Sequence, residues 1–136
     1  MPRKGVLFYG ISNCCRTQIA EAIARKEGIP AWSAGHNPSV GVDGRAVRVL
    51  AEVGIDISTA NAKALRDVPL REVEYVVSIG HDIAGLVPTE LDRLTHYHWP
   101  MMHPAVHTGP SGEQIEMFRG VRDDIKRRLF TLLREL

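Results

Sequence analysis

Short apolar runs alternate with amphipathic segments along nearly the whole chain. Each apolar run is short enough for a buried strand, and each amphipathic segment repeats apolar residues at the three- and four-residue steps of a helix. The predicted strands are 5–9, 31–35, 75–80 and 94–99, and the predicted helices begin near Thr17, Arg45 and Ser111. Strands that alternate with helices favour a parallel sheet. We therefore predict an α/β fold of the Rossmann type: three layers, with a four-stranded parallel sheet flanked by helices.

The composition adds limits to this picture. The chain has 136 residues and a net charge of +1, which favours one domain over 1–136 and gives no field that would attract nucleic acid. No run approaches the roughly 20 apolar residues that span a bilayer. The two cysteines, Cys14 and Cys15, are adjacent and cannot form a disulfide framework. We therefore expect a cytoplasmic protein that binds neither nucleic acid nor membranes.

The stretch YGISNCCRTQIAEA joins the first predicted strand to the first predicted helix. In a parallel sheet, ligands bind at the carboxyl ends of the strands, where backbone N–H groups and a helix N-terminus attract anions. Arg16 would add a forked, permanently charged donor, and Thr17 could cap the helix or brace the loop. A plain crossover with a solvated Arg16 fits the local residues equally well.

The order of motifs along the chain resembles the low-molecular-weight protein tyrosine phosphatase family, and most closely its thiol-coupled arsenate reductase branch. The matching blocks are VLFYGISNCCRTQIAEAIAR, WSAG, VDGRAVRVLAEVGIDIS, YVVSIG, HWPMMHP and FRGVRDDIKRRL. The resemblance implies no cofactor. It implies that the chain binds phosphate, arsenate or another small oxyanion, and it allows a phosphoprotein as a partner. The oxyanion-binding positions that it implies are Gly10, Ile11, Ser12, Asn13, Cys14, Cys15, Arg16 and Thr17.

The loop keeps the residues to which the family gives binding roles. Arg16 matches the arginine that clamps the oxyanion, and Asn13 matches the asparagine that holds the loop in shape. Cys15 matches the second loop cysteine, and Thr17 matches the bracing hydroxyl. The resemblance therefore predicts that the loop still binds an oxyanion.

Three departures fall on the family's chemical roles. Gly10 stands where the family has its nucleophilic cysteine, and Ser12 stands where it has a glycine. His103 replaces the aspartate of the Asp-Pro dipeptide that supplies the general acid. The redox cysteines that should follow YVVSIG are absent, with His81 about where the first would stand. We therefore expect oxyanion binding with impaired or altered catalysis, with Cys15, Arg16 and His103 as the candidate catalytic residues.

Two alternatives stay open. The first is an active arsenate reductase or phosphatase that uses Cys14 or Cys15 as its thiol and His103 as its acid, since a helix N-terminus and Arg16 both lower a thiol pKa. The second is a metal or arsenic site built from these cysteines and nearby histidines. Its spacing matches no standard zinc pattern, so no residue is predicted as a metal ligand. The histidines concerned are His81, His96, His98, His103 and His107.

Overall fold

The computed structural model describes residues 5–106 and 109–136 of the chain. Its strands and α-helices, in chain order, are β1 (Gly5–Gly10), α1 (Arg16–Lys26), β2 (Ala31–Gly35), α2 (Gly44–Ala51), β3 (Val73–Ile79), β4 (Thr95–Trp99) and α3 (Ser111–Glu135). The four strands form one parallel sheet in the order β2-β1-β3-β4. The predicted α/β fold with a four-stranded parallel sheet is therefore confirmed.

The sheet separates two apolar clusters, because alternate residues of a strand point to opposite faces. On β1, Val6 and Phe8 pack against the three α-helices, whereas Leu7 and Tyr9 pack on the other side. The second cluster is covered by short 3-10 helices and loops instead of α-helices. The apolar side chains that these short segments bring to it are Leu65, Leu70, Ile83 and Leu91.

The long helix α3 is amphipathic, as predicted. It buries one row of side chains, which are Ile115, Phe118, Ile125, Leu129 and Leu132. On its solvent side Arg127 and Arg128 both pair with Asp124, at 3.3 and 3.1 Å. The basic stretch near the end of the chain is thus the charged face of this helix. Across the described ranges, no helix combines the length and apolarity that crossing a bilayer requires.

The strand order reverses direction at β1. The chain passes from β1 to β2 on one side and then crosses to β3 on the other. Crevices at such reversal points, beyond the carboxyl ends of the strands, are the usual ligand sites of parallel α/β proteins. The segments that meet there are the β1–α1 loop, the residues after β3 and the residues after β4. The Gly80 N–H bond to the Trp99 carbonyl joins the last two of these segments.

Candidate active site

A small pocket lies at this reversal point. It is lined by residues 10–17 together with Ile79 and His103. The structure therefore brings together all of the sequence-predicted oxyanion residues and the candidate acid. Gly10 supplies only backbone to this lining, and its carbonyl accepts a hydrogen bond from the N–H of His36.

The carbonyl groups of the loop turn away from this pocket. Four of them accept hydrogen bonds of 2.7 to 3.0 Å from backbone N–H groups in the segment 36–43, namely those of Gly10, Ile11, Ser12 and Cys14. Because a trans peptide group is planar, the N–H of the following residue points the opposite way. The N–H groups of residues 11, 12, 13 and 15 therefore point away from the segment 36–43, which does not line the pocket. This arrangement suits an anion.

Asn13 holds the loop in this shape. Its φ of 55° lies in the left-handed region, where asparagine is one of the few tolerated side chains. The side chain is 2% exposed and donates to the Thr17 hydroxyl at 2.8 Å. Its Oδ1 accepts from Gln18 Nε2 and from the Lys63 N–H, each at 2.8 Å. Asn13 thus connects the loop to α1 and to the segment that precedes the first 3-10 helix.

Gln18 is a positioning residue that sequence reasoning missed. It is buried and also donates from Nε2 to the backbone carbonyls of Asn13 and Asn61, at 3.2 and 2.9 Å. The sequence shows only a polar residue in the first turn of α1, on a side of the helix that also carries Glu21 and Arg25. Its partner at residue 61 lies too far along the chain for spacing to reveal it.

Arg16 lies beside the pocket and is only 5% exposed. The alternative of a solvated surface arginine is therefore wrong. Its Nη1 donates to the Met101 carbonyl at 2.7 Å, and its Nη2 lies 3.5 Å from Asp82 Oδ2. The guanidinium thus connects α1 to the segments after β3 and β4, the second of which carries His103.

Gly80 makes room for this guanidinium. A Cβ at Gly80 would lie 2.4 Å from Arg16 Nη1, and the φ of 112° disfavours any side chain. Gly80→Ala should displace Arg16 and weaken phosphate binding about tenfold or more, since a charge-assisted hydrogen bond contributes about 1.5–3 kcal/mol. Calorimetric titration with phosphate measures this loss.

Gly85→Ala is the matched control for that substitution. Gly85 also has a positive φ, of 79°, but a Cβ added there would meet no neighbouring atom within 4 Å. The change at Gly85 should strain only the backbone, and only the change at Gly80 should weaken phosphate binding. Equal phosphate affinities in the two variants would contradict the role given to Gly80.

The two cysteines lie side by side as free thiols. Their sulfurs are 2.9 Å apart, well beyond the roughly 2.05 Å of a disulfide bond. Cys15 is 2% exposed and belongs to the main apolar cluster, whereas Cys14 is half-buried and lines the pocket. One cysteine is therefore packed inward, as expected, and the other is accessible.

Three groups converge on the sulfur of Cys14. The Ser12 hydroxyl donates to it at 3.1 Å, His103 Nε2 lies 3.6 Å away, and the Cys15 thiol is its third neighbour. Ser12 and His103 are two of the positions at which the sequence departs from the family pattern. Both of these residues therefore contact the same sulfur atom, which the sequence alone does not show.

These contacts separate the pKa values of the two thiols. The hydrogen bond from Cys15 is the largest cause that lowers the pKa of Cys14 to about 4, with further lowering by His103 and Ser12 against the opposing effect of burial. The same hydrogen bond, followed by burial, raises the pKa of Cys15. The two shifts therefore favour the thiolate form at Cys14 over that at Cys15.

The hydrogen bonds of His103 assign its tautomer. The Ala105 N–H donates to Nδ1 at 3.1 Å, so Nδ1 carries no proton and the ring proton lies on Nε2, which faces Cys14. In this arrangement His103 stabilises the Cys14 thiolate.

The reactivity of Cys14 should hardly depend on pH between about 5 and 8. Because its pKa is lowered to about 4, the thiolate is fully formed above about pH 5 and is lost as the pH falls through 4. The rate of alkylation by iodoacetamide, followed at Cys14 by peptide mass spectrometry, measures this. His103→Asn should raise the pKa, and His98→Asn, whose ring contacts Ser78 instead, should not. A rate that rises about tenfold per pH unit over this range, as for an ordinary thiol, would contradict the assignment.

The other candidate histidines are held elsewhere. His96 Nε2 contacts the Leu91 carbonyl at 2.8 Å, and His98 Nδ1 contacts the Ser78 hydroxyl at 2.7 Å. Among the described residues, the ligand atoms that come within 4.8 Å of one another are those of Cys14, Cys15 and His103. His81 does not join this group, as the metal-site alternative would require, because it is an exposed residue after β3. His107 lies outside the described residues.

Parallel strands with an amide-lined loop before a buried helix define a class of α/β proteins that hold oxyanions at a helix N-terminus. The chain belongs to the low molecular weight phosphotyrosine protein phosphatase family, whose model matches residues 5–136. It is 34% identical to an arsenate reductase of Halalkalibacterium halodurans over 137 residues, 96% of each chain. It is 33% identical to an arsenate reductase of Bacillus subtilis over 132 residues, 95% of this chain and 94% of the relative. A solved structure described as an arsenate reductase in the phosphate binding state superposes with a TM-score of 0.79 and 29% identity, over 97% of this chain and 98% of the other.

Proposed function

We propose that the protein binds a phosphate- or arsenate-like oxyanion in the loop of residues 10–17 and reacts with it through the Cys14 thiolate. The observation that carries this proposal is the convergence of Ser12, Cys15 and His103 on the Cys14 sulfur at the edge of the pocket. Gly10 has no side chain, so position 10 cannot supply the nucleophile. Arsenate is the favoured substrate because the relatives that match nearly the full chain are arsenate reductases.

The chemistry begins with attack of the Cys14 thiolate on the arsenic of arsenate. A sulfur–arsenic bond forms, and the displaced oxygen takes up protons from solution and leaves as water. The N–H groups of the loop and the Arg16 guanidinium stabilise the charge on the remaining oxygens. The pocket thus supplies the nucleophile and the anion-binding groups from one loop.

A second thiol completes the reduction. It attacks the Cys14 sulfur, the electron pair of the sulfur–arsenic bond moves to arsenic, and arsenite leaves while a disulfide forms. We assign this step to a small external thiol. Cys15 is a poor candidate because its pKa is raised and because adjacent cysteines rarely form an unstrained disulfide. Two reactive free thiols suit a reducing compartment, so we place this activity in the cytoplasm.

His103 has a supporting part in this proposal. Its Nε2–H holds the Cys14 thiolate, and its Nδ1 is occupied by the Ala105 N–H. It therefore does not protonate a leaving alkoxide as the family's aspartate would. Hydrolysis of an aryl phosphate, which needs that proton, should consequently be slower than arsenate reduction.

The test is arsenite release from arsenate by the purified, reduced chain with glutathione in excess. We expect arsenite above the protein-free blank and little release of phenol from an aryl phosphate. Phosphate binding without arsenite release would contradict the thiolate chemistry. It would support the hypothesis of impaired catalysis, in which the protein is an oxyanion-binding or sensing module.

A further inference from the structure

We propose that Cys14 and Cys15 together form a dithiol site for trivalent arsenic, supplied as arsenous acid. The two sulfurs are 2.9 Å apart, and one of them faces the pocket while the other closes its inner side. A single atom that enters through the pocket can therefore meet both sulfurs. This binding does not require Cys14 to act as a nucleophile toward arsenate.

The binding step is a ligand exchange without any change of oxidation state. Two arsenic–sulfur bonds form and two arsenic–oxygen bonds break. The two hydroxyl groups leave as water, one with the proton of the Cys15 thiol and one with a proton from solution, because Cys14 is already a thiolate. The third hydroxyl stays on arsenic. The ring that results has one atom more than the ring of a disulfide between the same cysteines, which relieves the strain of linking adjacent residues.

The surroundings favour a neutral thiophile over a divalent metal ion. The N–H groups of the loop, the start of α1 and the Arg16 guanidinium all make the pocket attractive to negative charge. Arg45 also acts electrostatically on both cysteines. Arsenous acid carries no charge at neutral pH, so these groups do not repel it.

His103 also favours arsenous acid over a divalent metal ion. A metal would need the Nε2 lone pair, but the Ala105 N–H fixes the tautomer that carries its proton on Nε2. An arsenic-bound hydroxyl can instead accept a hydrogen bond from that Nε2–H. The cluster of Cys14, Cys15 and His103 therefore provides two sulfur ligands and one hydrogen-bond donor, and not a three-ligand metal centre.

The test is mass spectrometry of the intact reduced chain after incubation with arsenite. We expect one arsenic atom per chain, and the adduct should raise the mass of the chain by that of one AsOH group minus two hydrogens. An excess of a small dithiol should remove the arsenic. Cys14→Ser and Cys15→Ser should each weaken binding about a hundredfold or more, since the second bond of a chelate is intramolecular. His98→Asn keeps both sulfurs, and its ring contacts Ser78 outside the cluster, so this variant should bind arsenite nearly as well as the unchanged chain. Cys15→Ala serves as a second removal of the buried thiol, and thermal melting of each variant verifies that it is folded.

Three results would overturn the proposal. They are no adduct with arsenite in large excess, unchanged binding in the Cys15 variants, and stoichiometric binding of Zn²⁺ that displaces arsenite. Arsenite release from arsenate is measured separately. Turnover without an arsenite adduct would therefore overturn only the dithiol site, and an adduct without turnover would overturn only the proposed reaction.

Discussion

Cys14→Ser should lower the rate of arsenate reduction by at least about a thousandfold, because removal of an enzyme's nucleophile costs several orders of magnitude in turnover. A serine hydroxyl at this position is not ionised near neutral pH, whereas the Cys14 thiol has a pKa of about 4. The fold should be unaffected, since Cys14 is half-buried and a hydroxyl is slightly smaller than a thiol. The measurement is arsenite release under saturating arsenate and thiol.

Cys15→Ser is the paired comparison for that variant. A hydroxyl at residue 15 can still donate a hydrogen bond to the Cys14 sulfur, which lies 2.9 Å from the sulfur of Cys15. We expect the rate of arsenate reduction to fall by no more than about tenfold, which corresponds to a rise of roughly 1.4 kcal/mol in the activation free energy. The reverse order, with Cys15→Ser inactive and Cys14→Ser active, would give the nucleophilic role to Cys15, which matches the second loop cysteine of the family pattern.

Asn13→Ala should destabilise the chain by about 3 kcal/mol, since buried polar partners would be left unpaired and alanine disfavours a positive φ. The buried side chain makes hydrogen bonds to Thr17, Gln18 and the Lys63 N–H. The same change should abolish measurable phosphate binding, because the loop would lose the shape that aims its N–H groups. Urea unfolding and calorimetric titration give the two quantities.

Asn37→Ala is the control for Asn13→Ala. Asn37 is exposed and contributes its backbone N–H, which alanine retains, to the Ile11 carbonyl. The free energy of unfolding of the Asn37→Ala variant should stay within about 0.5 kcal/mol of that of the unchanged chain. Similar losses in the two variants would show that the Asn13 side chain has no special part in the loop.

The sheet and its helices were predictable because burial imposes a period on the sequence. The central strand β1 is covered on both faces and appears as a continuous apolar run over 5–9, whereas the edge strand β4 is mostly exposed. The cover of the second sheet face was not predictable. Its apolar residues, such as Leu65, Leu70 and Ile83, lie in 3-10 helices too short to show any period.

The site was predictable only where a residue's role depends on the loop itself. Asn13, Arg16 and Thr17 were placed by their resemblance to a loop pattern, and all three line the pocket. The partners of Arg16 were hidden because Met101 and Asp82 are distant in sequence and use a carbonyl and an exposed carboxylate.

The positions that depart from the family pattern also show what the sequence alone cannot reveal. In the sequence, Gly10, Ser12 and His103 appear as separate losses. In the structure, Ser12 and His103 both contact the sulfur of Cys14, a residue without a counterpart in the pattern. The sequence alone therefore shows none of the contacts on which the role proposed for Cys14 rests.

The most direct test of a reactive Cys14 in an anion pocket measures how fast iodoacetamide alkylates each cysteine at about pH 6, with and without phosphate. A thiol of ordinary pKa is almost wholly protonated at that pH. We expect rapid alkylation at Cys14 and slow alkylation at Cys15. Phosphate should markedly slow the alkylation of Cys14, because bound phosphate would fill the pocket that Cys14 lines. Alkylation of Cys14 at the rate of an ordinary thiol, or at a rate that phosphate leaves unchanged, would contradict the role assigned to this sulfur.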